Sequence, residues 1–327
     1  MRTQLHFLRV LLILPLSLAL AVYATDIAEE LLEDYYFGAP DVLIDASRDG
    51  GTWWSPQPFT PGVFDPALAH QGKHLADFLR SLGMDVTELP RPFTITPDLL
   101  ESFDLVVRAN AYPKSAYTAD EIEAYRQYVA EGGRLILLAD FTEFNQADVL
   151  ALAFGLDLRG SVTGVVDQFA EHPITSGVQS LWYPAGSVLV AEPPAQTTEL
   201  GFIEGETAMG LTYSGHGQIF FMGDIAAVTF AEQPLVKNLV VWFMTAEGLA
   251  AQVAMASLSP QSEQSLLHFL DAAQKAVDRG RMHSYVKQLD AFINKIEALE
   301  RSGRIDAAAA DALIASALTL IYNVTPG

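Results

Sequence analysis

Short apolar runs alternate with amphipathic helical segments through the first half of the chain, and this alternation limits the fold more than any other feature. A helix is predicted over 66–83, and another follows the capping-box pair Thr118 and Glu121. Strands that alternate with helices of this length form βαβ units. We therefore predict an α/β three-layer sandwich with a mostly parallel, flavodoxin-like sheet. The predicted strands are "VLID" (42–45), "DVTEL" (85–89), "DLVVRAN" (104–110) and "RLILLAD" (134–140).

The pattern changes in the second half of this region. The segment "SGHG" separates two predicted strands and is typical of a hairpin turn. An amphipathic helix over 233–248 then closes the unit, which places the predicted α/β domain at 41–249. The additional predicted strands are "SVLVAE" (187–192), "TAMGLTY" (207–213) and "GQIFFMGD" (217–224).

A polar linker at 257–264 leads into three helical stretches, which Gly280 and Gly303 separate. The second and third stretches carry apolar residues at helical spacing, so each is expected to bury one face. We predict a small α-helical module at 263–323.

The N-terminus has the pattern of a secretory signal peptide. Arg2 lies in a basic start, an apolar run follows, and Val22 and Ala24 fit a signal-peptidase site. We predict a signal peptide at 1–24 and a secreted, periplasmic or extracellular mature protein, with the signal peptide as its only membrane segment. A retained membrane anchor is the alternative, although Pro15 interrupts the apolar run.

Composition excludes several classes of function. The 327 residues include no cysteine, so thiol nucleophiles, disulfides and cysteine-zinc sites cannot occur. The formal net charge of −21 would repel a phosphate backbone, so no nucleic-acid partner is predicted. Motifs for nucleotide or zinc binding are absent as well, and we predict neither a cofactor nor a metal site.

The α/β region resembles the class I glutamine amidotransferase-like superfamily, in its non-catalytic exported branch (the DUF4350-like and ThuA-like group). The resemblance rests on ordered segments: "VLIDASRDG", "FDLVVRANAY", "TADEIEAYRQYVAEGGRLILLAD", "EHPITSGV", "GHGQIFFMGD" and "PLVKNLVVWF". In the enzymes of this superfamily, a nucleophilic cysteine follows the strand that corresponds to "RLILLAD". Here Asp140 and Phe141 stand at that place, so the resemblance implies a pseudoenzyme without glutaminase activity.

The C-terminal segment "LDAFINKIEALERSGRIDAAAADALIASALTLI" resembles the FIMAH module. That module occurs at the ends of secreted bacterial proteins, including carbohydrate-active enzymes. The resemblance implies an exported modular protein.

Polar side chains follow the predicted parallel strands, and loops after such strands share one edge of the sheet, where ligands bind. We therefore predict ligand-binding and no catalytic residues at this edge, with Trp53 and Trp54 as flat apolar walls or as core residues. The histidine of "HPITSGV" is included, although a turn-forming role suits it better than catalysis. The predicted ligand-binding residues are Asp45, Ser47, Arg48, Asp49, Asn110, Tyr112, Asp140, His172 and Asp224.

Three functions fit this edge. Carboxylates, amides and aromatic rings suit a polysaccharide or a small polar ligand. Two carboxylates could instead support a carbohydrate-directed or metal-assisted hydrolase. The acidic residues could also be structural, in a scaffold that binds a protein partner at the cell surface. We expect a non-catalytic binding or interaction protein, with the hydrolase as the alternative.

Overall fold

A computed structural model describes most of the chain after the N-terminal region. The predicted signal peptide at 1–24 lies outside the described residues. Among the residues that are described, no helix combines the length and the apolar character needed to cross a bilayer. The described residues are 40–49, 52–55, 70–142, 146–229 and 233–322.

A mixed sheet of eight strands forms the centre of the α/β region, with the order β2-β1-β3-β4-β10-β9-β8-β6. The first five strands in this order are parallel, and the last three continue the sheet in antiparallel fashion. The prediction of an α/β fold with a largely parallel sheet is confirmed. These strands are β1 (Asp41–Asp45), β2 (Asp85–Leu89), β3 (Leu105–Arg108), β4 (Arg134–Leu138), β6 (Gln168–Phe169), β8 (Thr198–Ile203), β9 (Glu206–Ser214) and β10 (Gly217–Met222).

Helices cover both faces of the parallel strands. Because side chains alternate along a strand, Leu135 and Leu137 of β4 face one apolar core while Ile136 and Leu138 face the other. Both faces of β4 are therefore buried, as a central parallel strand requires. The helices of this region are α1 (Lys73–Ser81), α2 (Pro97–Leu100), α3 (Ala119–Ala130), α4 (Val149–Ala153), α5 (Ala226–Thr229) and α6 (Gln233–Met244).

The capping box predicted from the sequence sets the start of α3. The Thr118 hydroxyl accepts a hydrogen bond from the Glu121 backbone N–H at 3.3 Å, and the Glu121 carboxylate accepts one from the Thr118 backbone N–H at 2.9 Å. These bonds satisfy two backbone groups that a helix leaves open at its first turn.

A separate two-stranded sheet pairs β5 (Leu158–Val166) with β7 (Leu181–Leu189) in antiparallel fashion. A short 3-10 turn at Pro173–Thr175 lies between β5 and β7 in the sequence. The sequence patterns predicted neither β5 nor the short strands β6 and β8, because their residues lack a clear apolar alternation.

Four helices form the C-terminal region and enclose an apolar core of their own. Residues of the first of these helices, including Leu249 and Val253, belong to that core together with Leu289 and Phe292. The helices are α7 (Ala246–Met255), α8 (Pro260–Val277), α9 (Met282–Arg301) and α10 (Ala307–Tyr322).

A buried polar seam joins these helices to the sheet. The Gln218 amide nitrogen donates to Gln252 Oε1 at 3.0 Å and to Ser316 Oγ at 2.8 Å. Its amide oxygen accepts from Trp242 Nε1 at 2.9 Å. Gln218 lies in β10, Trp242 in α6, Gln252 in α7 and Ser316 in α10, so one side chain connects four elements.

Candidate functional site

The carboxyl edge of the parallel strands brings three of the predicted residues together. Asp45 ends β1, Asn110 follows β3 and Asp140 follows β4. Asn110 Nδ2 lies 3.5 Å from Asp140 Oδ2, and the Thr52 hydroxyl donates to the same oxygen at 3.0 Å. The loop after β1 therefore meets the loops after β3 and β4 at one place.

A buried lysine that sequence reasoning missed completes this group. Lys114 is only 3% exposed, and its Nζ donates to Asn110 Oδ1 and, at 3.3 Å, to the backbone oxygen of Asp140. Burial lowers the pKa of Lys114 to about 8, against the opposing attraction of Asp148. We call Thr52, Asn110, Lys114 and Asp140 the Lys114 cluster. Lys114 follows β3 in the sequence, and this position was the one sequence feature that could have indicated its place at the carboxyl edge.

The carboxylate of this cluster is perturbed too. Burial raises the pKa of Asp140, while the Phe141 backbone N–H, which donates to Oδ1 at 2.8 Å, acts in the opposite direction. No salt bridge within 4.0 Å joins Lys114 and Asp140 in the described structure. The cluster thus holds a poorly solvated amine and a poorly solvated carboxyl that do not neutralise each other by direct contact.

Exposed aromatic side chains border the cluster. Tyr112 is 58% exposed and Phe141 is 50% exposed, and each lies within two residues of a member of the cluster. Phe93 is also exposed, and its backbone oxygen accepts from Arg48 at 2.7 Å, while the Arg48 backbone oxygen accepts from the Tyr112 N–H at 2.8 Å. The exposed aromatic side chains and the Lys114 cluster therefore lie on neighbouring loops.

Asp45 is held by the protein itself. The hydroxyls of Tyr117 and Tyr125 both donate to its Oδ2 at 2.6 Å, and the Ser47 N–H donates to Oδ1 at 2.9 Å. The residue is fully buried. These bonds fix the carboxyl end of β1 against α3 and leave Asp45 a structural role.

Arg48 and Ser47 are likewise occupied. The Arg48 guanidinium forms an ion pair with Glu121 and donates to the Ala116 backbone oxygen at 3.3 Å and to the Ser47 hydroxyl at 3.1 Å. The same Glu121 caps α3, so Arg48 secures the loop after β1 to the start of that helix.

Asp49 and Asp224 bind loop amides. Asp49 accepts from the N–H groups of Thr52 at 3.2 Å and Trp54 at 3.3 Å. Asp224 accepts from Ala185 at 3.2 Å and from Ala226 at 2.7 Å. Both carboxylates are buried and organise turns.

His172 lies apart from the other predicted residues. Its ring packs 4.6 Å from the Trp242 ring, and Trp242 bonds Gln218 near the beginning of β10, at the amino edge of the parallel strands. His172 Nδ1 accepts from the Ile174 N–H at 3.1 Å and so caps the 3-10 turn. Burial lowers its pKa to about 4.

The two tryptophans after β1 belong to the core. Trp53 and Trp54 are buried, and their indole nitrogens donate to Glu88 Oε2 and to the Ala46 backbone oxygen, each at 3.1 Å. They are therefore not exposed walls of a ligand site. Across the described ranges, no group of three or more acidic or histidine side chains is arranged to hold a metal ion.

The family model of the FIMAH domain matches residues 246–322, which span α7 to α10. Residues 246–322 therefore form a FIMAH domain. This match includes α7, which also contributes to the seam with the sheet through Gln252. No curated protein matches the chain.

Several solved structures are similar at low sequence identity. The N-terminal domain of mmIFT52 is 18% identical, with a TM-score of 0.46, and covers 62% of this chain and 95% of that chain. Cytoplasmic protein STM1381 from Salmonella typhimurium LT2 is 16% identical, with a TM-score of 0.44 and coverage of 61% and 98%. Exo-beta-1,4-mannosidase Op5Man5 from Opitutaceae bacterium strain TAV5 is 13% identical, with a TM-score of 0.40 and coverage of 62% and 36%. None of these similarities assigns a function.

Proposed function

We propose that this protein is an exported, non-catalytic binding protein that takes a carbohydrate at the Lys114 cluster. One observation supports this proposal most directly. Lys114 and Asp140, both buried, lie together at the carboxyl edge, beside the exposed rings of Tyr112 and Phe141. Ligands of open α/β sheets bind at this edge.

The chemistry of the cluster suits hydroxyl groups. An ammonium has three hydrogens, and in the described structure two oxygens accept from Lys114 Nζ, so one hydrogen has no described acceptor. The Asp140 carboxylate can accept from a second hydroxyl. A sugar ring offers vicinal hydroxyls that both donate and accept, and an apolar face that packs on an aromatic ring.

Membership of the amidotransferase-like superfamily, in its exported non-catalytic branch, is part of the proposal. Asp140 and Phe141 directly follow the buried end of β4, where the enzymes carry their cysteine. One carboxylate oxygen of Asp140 accepts a hydrogen bond from the Phe141 backbone N–H. This bond suits a residue that holds a ligand better than one that acts as a nucleophile. Secretion through the N-terminal signal and a surface location are proposed with it.

A hydrolase that uses Asp140 as a general acid is the second candidate. Burial raises the pKa of Asp140, as general acids require. A second free carboxylate is needed for the usual pair, and Asp45 already accepts three hydrogen bonds. Because Asp45 is not free to act as the second carboxylate, the site favours binding over hydrolysis.

The test compares binding to soluble neutral polysaccharides (xylan, glucomannan and galactan) by affinity electrophoresis and calorimetry. We expect Tyr112→Ala and Asp140→Asn to weaken binding roughly tenfold or more, which corresponds to about 1.4 kcal/mol. Trp182→Ala is the matched control, because Trp182 is 56% exposed on β7, away from the cluster.

Three results would contradict the proposal. Wild-type protein that none of these polysaccharides retards does not bind carbohydrate of this class. Equal weakening of binding by Trp182→Ala would show that the polysaccharide does not bind specifically at the Lys114 cluster. Release of reducing ends by the wild type, lost in Asp140→Asn, would establish the hydrolase instead.

A further inference from the structure

A cleft of about 320 Å³ lies between the α/β region and the FIMAH domain. His172, Tyr213 and Trp242 line one side of it. Ala309 and Ala312 of α10 line the other side. This volume falls at the lower end of the range for small-molecule sites in proteins. The cleft lies at the amino edge of the parallel strands, so it is distinct from the Lys114 cluster.

His172 presents an unused hydrogen-bond donor to this cleft. Its Nδ1 accepts from the Ile174 N–H at 3.1 Å, so the neutral ring carries its proton on Nε2. The side chain is only 6% exposed and borders the cleft, and no described residue accepts from Nε2. A donor that opens onto a cleft and has no described protein acceptor can be satisfied by a ligand oxygen.

The walls favour an uncharged, flat molecule. Alanine side chains of α10 and the aromatic rings of His172 and Trp242 give the cleft apolar walls, and the uncharged polar side chains of Gln196, Thr197 and Thr198 complete the lining. His172 is neutral near pH 7, because burial lowers its pKa to about 4, and it offers no positive charge to an anion. Asp306 at the start of α10 also lines the cleft, and its carboxylate would repel an anion.

We propose that this cleft binds an uncharged small molecule with a flat apolar body and one oxygen that accepts from His172 Nε2–H. The ligand contacts both the α/β region and the FIMAH domain. The proposal is independent of the carbohydrate site, because the two share no residue.

Phenol is the probe, since it is flat, neutral and carries one oxygen. The full chain, labelled with ¹⁵N in its histidines, is titrated while the His172 ring signals are followed by NMR, with His172→Asn to assign them. We expect a saturable shift of the His172 Nε2–H signal, with a Kd on the order of 1 mM, which suits so small a ligand. Benzoate, the anionic comparator, is expected to bind at least tenfold more weakly.

Variants that fill the cleft provide the structural control. Ala309→Leu and Ala312→Leu keep a good helix former and place extra carbon atoms in the cleft, so they should weaken phenol binding at least tenfold. Ala307→Leu is the matched control: Ala307 is exposed on the same helix and does not line the cleft. His172→Asn keeps a cap acceptor for Ile174 and loses the Nε2 donor, so phenol binding to this variant, followed on the phenol signals instead, should also weaken.

The proposal is overturned if phenol produces no saturable shift at His172. Equal effects of Ala307→Leu and Ala309→Leu would place the probe elsewhere on the protein. Benzoate binding as tight as phenol binding would refute the neutral character of the ligand. Thermal unfolding of each variant separates loss of binding from loss of folding.

Discussion

At the scale of single residues, the polar groups of the carboxyl edge differ in how fully the protein compensates their charge. Asp45 receives two tyrosine hydroxyls and a backbone amide, so its charge is compensated inside the protein. Lys114 is compensated less fully, since a side-chain amide and a backbone oxygen are its described acceptors and the carboxylates of Asp148, Asp140 and Asp49 attract its charge without a described hydrogen bond. Burial of an amine held in this way costs stability, and the proposed binding role gives a reason to keep it.

The cost of burying Lys114 predicts how stability changes with pH. The pKa of Lys114 falls from 10.5 in the unfolded chain to about 8 in the folded chain. Below pH 8 the lysine is charged in both states and the folded state bears the full desolvation cost. As the pH rises from 8 towards 10.5, the folded state loses the proton first. The wild type should therefore gain roughly 2–3 kcal/mol over Lys114→Met in this interval.

Chemical denaturation at several pH values measures this difference. Lys275→Met on the exposed face of α8 is the control and should show a difference from wild type that stays nearly constant with pH. A flat profile for Lys114→Met as well would mean that Lys114 is not desolvated in the folded protein.

At the scale of elements, the seam around Gln218 decides how the FIMAH domain is attached. Gln218 Nε2 contacts α7 and α10, and Gln252 Nε2 donates back to the Trp242 backbone oxygen of α6 at 3.0 Å. Arg134 at the start of β4 adds a donation to the Ser316 backbone oxygen at 3.4 Å. A buried network of this kind depends on every member being present.

Removal of the central side chain tests the network. Gln218→Ala leaves the buried Trp242 indole N–H and the Ser316 hydroxyl with fewer partners, so we expect a loss of about 2–4 kcal/mol in the free energy of unfolding. Gln127→Ala on the exposed face of α3 is the control and should cost less than about 0.5 kcal/mol. Similar costs for both variants would show that the seam does not stabilise the protein.

At the scale of the whole molecule, the FIMAH domain joins the sheet through the polar seam around Gln218. Helix α7 belongs to the FIMAH match, packs within the helical core, and contributes Gln252 to the seam. Independent tethered domains usually meet through small, polar interfaces. Because α7 takes part in both the helical core and the seam, we expect the two regions to unfold as one cooperative body.

Calorimetry shows whether the α/β region and the FIMAH domain unfold together or separately. We expect a single unfolding transition whose calorimetric and van't Hoff enthalpies agree, because opening the seam exposes buried polar groups of both regions at once. A chain that ends at residue 257 lacks α8 to α10 and should unfold at a lower temperature, since Leu249 and Val253 lose their core partners. Two resolved transitions in the full chain would contradict this view.

The sequence contained enough information for the parallel half of the sheet and for the location of part of the site. Local periodicity predicts β1 to β4, and the chain direction then places Asp45, Asn110 and Asp140 at one edge. The capping box of α3 is also a local pattern, and it forms as predicted.

Long-range partners decide what local patterns leave open. Tyr117 and Tyr125 reach Asp45 from 72 and 80 residues away, so no spacing rule could show that this carboxylate is occupied. Lys114 resembles any surface lysine until folding places it under the loop of Asp140. His172 sits beside α10 only because the C-terminal helices fold back onto the sheet.

The short strand β6 affects whether a second copy of the protein can add a strand to this edge of the sheet. The sheet ends at β6, which pairs with β8 over Gln168 and Phe169 alone. A template for strand addition needs a long row of open backbone groups, and two residues provide too few. On this side of the sheet, addition of a strand from a second copy is therefore disfavoured, and the net negative charge of the chain adds repulsion between copies.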